Sequence, residues 1–228
     1  MKRQIVFWAE LAYVLGILTL ALGTALMERA NFGVSMVVAP AYLLHLKVSQ
    51  FYPFFTFGTA EYCLQAALLI VLCLALRRFK VSYLFSFVTA VIYGFTLDGC
   101  MALIALIPGE GFAFRMAFYV LGLIVCAIGV SLLFHTYIAP EVYELFVKEV
   151  AAKSGAEIHR VKTVYDCCSC AVGVALSFAF FGLWHFEGVK LGTIFCALVN
   201  GATIGICSRF FESRFVFEDK LKLRKYFA

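Results

Sequence analysis

The chain has 228 residues, 64% of them hydrophobic and 14% charged, with a mean hydropathy of +0.95 and a formal net charge of +5. Soluble domains use about 45–50% apolar and about 25% charged residues, so this composition excludes an ordinary soluble globule and points to an integral membrane protein. The small positive balance is distributed as a membrane-topology signal rather than as a nucleic-acid footprint, as the basic residues below make clear.

A membrane-crossing helix needs about 20 mostly apolar residues, because every backbone polar group must be satisfied within the segment. The first span is predicted over 5–27, directly after a basic start that also resembles a secretory signal. The stretch ERANFGVSMVVAPAYLLHL (28–46) is too short to cross and is interrupted by Gly33 and Pro40, so it reads as a short interfacial or re-entrant helix. Spans follow over 54–76, 82–107 and 112–134. In FHTYIAPEVYELFVKEVAAKSG (134–155), Pro140 suits a first helical turn and Gly155 an end. Val142, Leu145, Phe146 and Val150 recur there at helical spacing, with Glu141, Glu144, Lys148 and Glu149 mostly on the other face. This predicts a second interfacial or re-entrant helix, followed by spans over 163–184 and 189–210 and a basic tail over 213–228.

Six spans and a cytoplasmic N-terminus put Lys2, Arg3, Arg77, Arg78, Lys80, Lys148, Lys153, Arg160, Lys162, Arg209, Arg214, Lys220, Lys222, Arg224 and Lys225 on the inner side. Only Arg29, Lys47, Arg115 and Lys190 fall outside, a positive-inside bias that agrees with an even number of spans and both termini in the cytoplasm. The tail is placed to meet anionic lipid head groups.

The chain also repeats itself. Tyr13-Val14-Leu15-Gly16 matches Tyr119-Val120-Leu121-Gly122, and the same offset of 106 pairs Ala21 with Ala127 and Gly23 with Gly129. Thr59 to Cys63 faces Thr163 to Cys167, and Ala90 to Cys100 faces Ala197 to Cys207, at offsets of 104 and 107. The expected fold is therefore an all-α membrane domain of six helices in two three-helix repeats, 1–107 and 108–212, each with a short helix after its first span. Three spans per half is odd, so the second half is expected upside down, an arrangement recurrent in secondary transporters. A first helix that recurs mid-chain also argues against a cleaved signal.

An ionisable group at the centre of a span costs about 2.5–3.5 kcal/mol, so it is a functional hypothesis by default. Glu61, Asp98 and Asp166 are the three, with Glu61 about two turns inside the outer face, Asp166 about one turn inside the inner face and Asp98 nearer the middle. Basic residues are expected only at helix ends, where Arg160, Lys162 and Arg115 reach inward. An excess of acid suits a cation: a proton, a metal ion or an organic amine. Tyr93 and Thr96 correspond through the repeat to Asn200 and Thr203, and with the acids they form a candidate central site, whereas polar contacts of this kind are also ordinary helix-packing glue. Gly94, Gly201, Gly16 and Gly122 are candidate hinge or close-packing positions. His45, His185 and Glu187 are polar groups of the outer segments, and the nine cysteines read as packing residues rather than as a metal set or disulfide framework.

LGTALMERANFGVS, the span beginning KTVYDCC and the run VKLGTIFCALVNGATIG resemble the YczE/YitT-like bacterial membrane proteins. Asp166, Gly192, Thr193 and Gly201 match that pattern, while Met36-Val37-Val38 stands where the family shows Pro-Trp-Asp. The resemblance implies a protein of the cytoplasmic membrane and supplies no substrate. The leading functional expectation is a small secondary transporter or permease for a small, cationic solute, coupled to protons or sodium. The alternative is a non-transporting module that binds or regulates a partner complex. No HExxH, GxSxG or nucleotide-binding loop suggests an enzyme, no cofactor or resident metal is expected, and a homo-oligomer is compatible with these features.

Overall fold

The computed structural model describes residues 5–77, 79–80, 82–183 and 188–221. In chain order these form β1 (Ile5–Trp8), α1 (Ala9–Ala30), α2 (Ala39–Val48), α3 (Phe57–Leu76), α4 (Ser82–Ala105), α5 (Phe112–Phe134), α6 (Val142–Ser154), α7 (Ile158–Phe181), α8 (Leu191–Arg214) and β2 (Phe215–Glu218). Six of the helices, α1, α3, α4, α5, α7 and α8, are long and apolar enough to cross a membrane, which makes this a multi-pass membrane protein. Leu74, Phe95, Leu103 and Ile206 are each at least 60% exposed on the outside of the bundle, a surface that only hydrocarbon covers without cost.

At the centre, α1 and α5 pack antiparallel through glycines. A Cβ built on Gly23 would lie 2.6 Å from the Cys126 backbone nitrogen and 2.8 Å from the Gly122 carbonyl, and one on Gly129 would lie 2.7 Å from the Leu20 nitrogen and 2.9 Å from the Gly16 carbonyl. Two glycines on each helix, seven residues apart, thus bring the backbones together where any side chain would hold them apart. Around this seam, α4 packs on α1 and α3, and α8 packs on α5 and α7.

The two short helices are not laid on the surface. Gln65 sits near the middle of α3, donates to Glu141 Oε2 at 3.2 Å and accepts from the Val142 backbone nitrogen at 3.0 Å. The start of α6 therefore lies at the level of the middle of a span. Likewise Gly173, inside α7, faces Ala39 at the start of α2. Irregular backbone at that depth is tolerated only where protein covers it, and Met36, Val37, Val38, Ala139 and Glu141 are all buried. Both short helices thus begin among the long ones.

Several expected boundaries move. The first helix begins at Ala9 because Ile5–Trp8 pairs in parallel with Phe215–Glu218, in the register Ile5 to Phe215 through Trp8 to Glu218. That ribbon captures the start of the expected tail, while residues 222–228 of the tail lie outside the described residues. The fifth span begins at Ile158, five residues earlier than its hydropathy, and α3 begins at Phe57. In consequence Glu61 is about one turn and Asp166 about two turns from the start of its helix, the reverse of the expected depths.

Candidate functional site

Glu61 and Gln65 stand one turn apart on one face of α3. Opposite them α6 presents Tyr143, whose hydroxyl donates to Glu61 Oε2 at 3.0 Å, and the preceding loop presents Glu141 to Gln65. One turn along α6, Glu144 accepts from Lys162 Nζ of α7 at 3.3 Å. Lys162 also pairs with Asp166, one turn further along α7, at 3.0 Å, and Asn200 of α8 donates to Asp166 Oδ2 at 3.4 Å. The Lys162 amine lies 5.6 Å over the Tyr165 ring. Tyr143 and Glu144 are adjacent residues of α6, so one helix turn touches both the Glu61 end and the Lys162–Asp166 end.

This network is closed off from the surface. Glu61, Gln65 and Asp166 are wholly buried, and Glu141, Glu144 and Lys162 are at most 3% exposed. Among the described residues, Glu61 Oε1, Glu141 Oε1 and Glu144 Oε2 have no hydrogen-bond partner. Burial, and after it the charges of Glu144 and Glu61, hold the Glu141 carboxyl well above the ordinary carboxylate range. Of these four acids, Glu144 and Asp166 share the one amine of Lys162, while Glu61 and Glu141 are held by the neutral Tyr143 and Gln65.

The expected site is brought together only in part. Glu61, Asp166 and Asn200 belong to the network. Tyr93 borders it, its hydroxyl 3.0 Å from Thr24 Oγ1 of α1. Thr96 and Thr203 donate to the carbonyls of Ile92 and Val199 within their own helices, at 2.7 and 3.0 Å. Asp98 stands apart: it accepts from the Gly58 backbone nitrogen at 2.9 Å and from Thr56 Oγ1 at 2.7 Å, at the start of α3. An anionic cap at a helix N-terminus satisfies orphan amides, so Asp98→Ala is expected to cost about 1–2 kcal/mol in a detergent thermal-unfolding assay. A loss under about 0.5 kcal/mol would remove that role. Gly94 lies against Gly58 and Gly201 against Thr163, while Gly16 and Gly122 belong to the α1/α5 seam. His45 bonds the Phe55 carbonyl at 2.7 Å, and His185 and Glu187 lie outside the described residues.

Two sequence expectations are corrected. Glu141 and Glu144 do not lie on an outward polar face, because α3, α4 and α7 all pack on α6 and bury its first turn. Lys162 is not a helix-end residue reaching inward but lies a full turn inside α7. Its spacing of four from Asp166, and of Glu61 from Gln65, was the sequence signal that marked these pairs.

Two of the three segments quoted for the family likeness, 22–35 and 189–205, meet at the other end of α8. Thr193 Oγ1 donates to the Val34 carbonyl at 2.8 Å and the Gly192 nitrogen to the Phe32 carbonyl at 3.0 Å. A Cβ on Gly192 would lie 2.5 Å from that carbonyl, so only glycine admits this joint. Comparison with curated proteins and with solved structures yields no match. A family model described as a family of unknown function (DUF6198) matches residues 7–209, a range that takes in all six spans almost entirely and both short helices. The chain belongs to that family.

Proposed function

We propose that the protein is a small secondary transporter or permease of the cytoplasmic membrane, taking a small cationic solute and coupled to protons or sodium. The observation that carries this reading is the burial of four carboxyls, Glu61, Glu141, Glu144 and Asp166, with one amine, Lys162, which pairs with only the last two. Uncompensated carboxylates are not sustained when buried, so the surplus must hold protons or meet an incoming cation. Acids in such a position within a membrane domain are the usual carriers of a coupling ion.

The reading includes two inverted repeats, 1–107 and 108–212, and the packing supports it. The contacts of Gly16 with Gly129 and of Gly23 with Gly122 exchange with one another when each residue is replaced by its repeat partner. The pairing of α2 with α3 and α7 likewise mirrors that of α6 with α7 and α3. Each re-entrant helix starts at mid-span, where sites of inverted-repeat transporters lie. The basic-residue asymmetry supports cytoplasmic termini, side by side in the β1/β2 ribbon. The YczE/YitT likeness, with Asp166, Gly192, Thr193 and Gly201, the tail's attraction to anionic lipid and a homo-oligomer remain within this proposal.

The test is flux of sodium, guanidinium and choline into proteoliposomes containing a pH-sensitive dye. Glu61→Gln keeps a partner for Tyr143 but removes the ionisable group, and it is expected to cut coupled flux at least about tenfold, the scale of losing one transition-state-specific interaction, with the fold intact. Equal flux in wild type, Glu61→Gln and Asp166→Asn would refute the site. The second reading, a module serving a partner complex, draws on the backbone-tight α1/α5 seam and the enclosed acids. It predicts a stoichiometric co-purifying protein and no flux for any of the three cations.

A further inference from the structure

We propose that the cleft between α5, α7 and α8 binds one acyl chain of an anionic phospholipid, with the phosphate held at Arg209. The cleft has a volume of about 570 Å³ and apolar walls from Phe134, Ile158, Ile204 and Ile206. It runs along α8 from Arg209 at its mouth to Gly201 at its floor, about 12 Å of helix rise, which suits the upper half of an acyl chain. Gly205, midway, has open space where a side chain would stand. Ile206 is 60% exposed, so the groove is continuous with the hydrocarbon-facing surface.

Charge selects the head group. Arg209 is exposed at the mouth and has no hydrogen-bond or ion-pair partner among the described residues. The acid beside it, Glu212, is engaged by His135 Nε2 at 3.1 Å, and His159, which also lines the cleft, is engaged by Glu157 Oε2 at 3.1 Å. Lys162 reaches the floor, but its amine is turned into the network by Glu144 and Asp166, which leaves its methylene stem for the cleft. Arg209 is therefore the one charged basic group of the lining that no acid engages among the described residues. The mouth opens where α5 and α8 end and α7 begins, the side that the basic residues mark as cytoplasmic. Basic pockets between spans on that side are suited to acidic lipid head groups. The inference is independent of transport.

The experiment is native mass spectrometry of the full-length protein released from micelles doped with equal amounts of phosphatidylglycerol and phosphatidylcholine of matched chains. Wild type is expected to retain phosphatidylglycerol about fivefold over phosphatidylcholine, the scale of one basic residue's attraction for acidic lipid. Arg209→Gln brings the ratio to parity, and Gly205→Leu, which fills the groove, removes retention of both lipids. Parity in wild type, or undiminished retention in Gly205→Leu, overturns the proposal; Arg209→Gln carries the test if the glycine variant does not fold. Lys222→Gln/Arg224→Gln/Lys225→Gln keeps the preference, and losing it there moves the lipid to the tail. Palmitate and inorganic phosphate in excess leave phosphatidylglycerol bound; displacement by palmitate makes the occupant a free fatty acid and also overturns it.

Discussion

Lys162→Met is expected to destabilise the protein by about 3–5 kcal/mol, the cost of leaving buried charges without their counterion. The substitution keeps the side chain's length and apolar stem and deletes only the charge. It strands Asp166, from which the amine is 3.0 Å away, and Glu144, 3.3 Å away, in surroundings where neither is more than 3% exposed. Both carboxyls must then be protonated or rehydrated, and either response loosens the contact of α6 with α7. Adding Asp166→Asn to Lys162→Met removes one of the stranded acids and is expected to recover a substantial part of the loss, a coupling that a double-mutant cycle measures. Thermal unfolding in detergent is the readout. If Lys162→Met melts with wild type, the network is not what holds α6 in place, and the charge argument for transport falls with it.

The second large effect lies in the α1/α5 seam. Gly23→Ala is expected to cost about 1–3 kcal/mol and Gly23→Leu to prevent assembly, because the added atoms meet backbone rather than a movable side chain. The new Cβ would stand 2.6 Å from the Cys126 nitrogen, and nothing on α5 can give way without lengthening the whole interface. Gly122→Ala should behave alike, since its Cβ would stand 2.8 Å from the Gly23 carbonyl. Gly99→Ala is the control: that glycine is helical, has nothing within 4 Å of its Cβ direction, and should be neutral or gain up to about 1 kcal/mol in helix propensity. Equal melting temperatures for Gly23→Ala and Gly99→Ala would show that the close approach is not what joins the two helices.

The seam and the network differed in how far the chain alone disclosed them. Gly16 and Gly122 announced themselves as register marks of a repeat, and small residues in spans point to close helix contact whatever the partner. For the acids, Glu61 and Asp166 were conspicuous because a carboxyl in an apolar run is expensive. Glu141 and Glu144 were not, because amphipathic periodicity assigns one face to protein and the other to water. That logic fails for a helix with spans on several sides. Lys162 was misplaced because hydropathy marks the edge of a span at its last charge, whereas helical hydrogen bonding continues from Ile158 and carries the lysine inside with its partners. The first span's start was likewise invisible, since β1 exists only by pairing with residues more than 200 positions away.

By itself the sequence determined the membrane environment, the six crossing helices and the two interrupted segments, because length and apolar content are local quantities that a bilayer reads directly. Only the tertiary structure decided which polar residues share a closed interior. It turned Asp98 into a helix cap, joined Glu144 to Asp166 through Lys162 beside the Tyr143–Glu61 bond, and left Thr96 and Thr203 bonded to their own backbones. The physical reason is that the cost of a buried charge depends on what lies across from it, and that is set by the packing of α3, α6, α7 and α8 against one another rather than by any one of them.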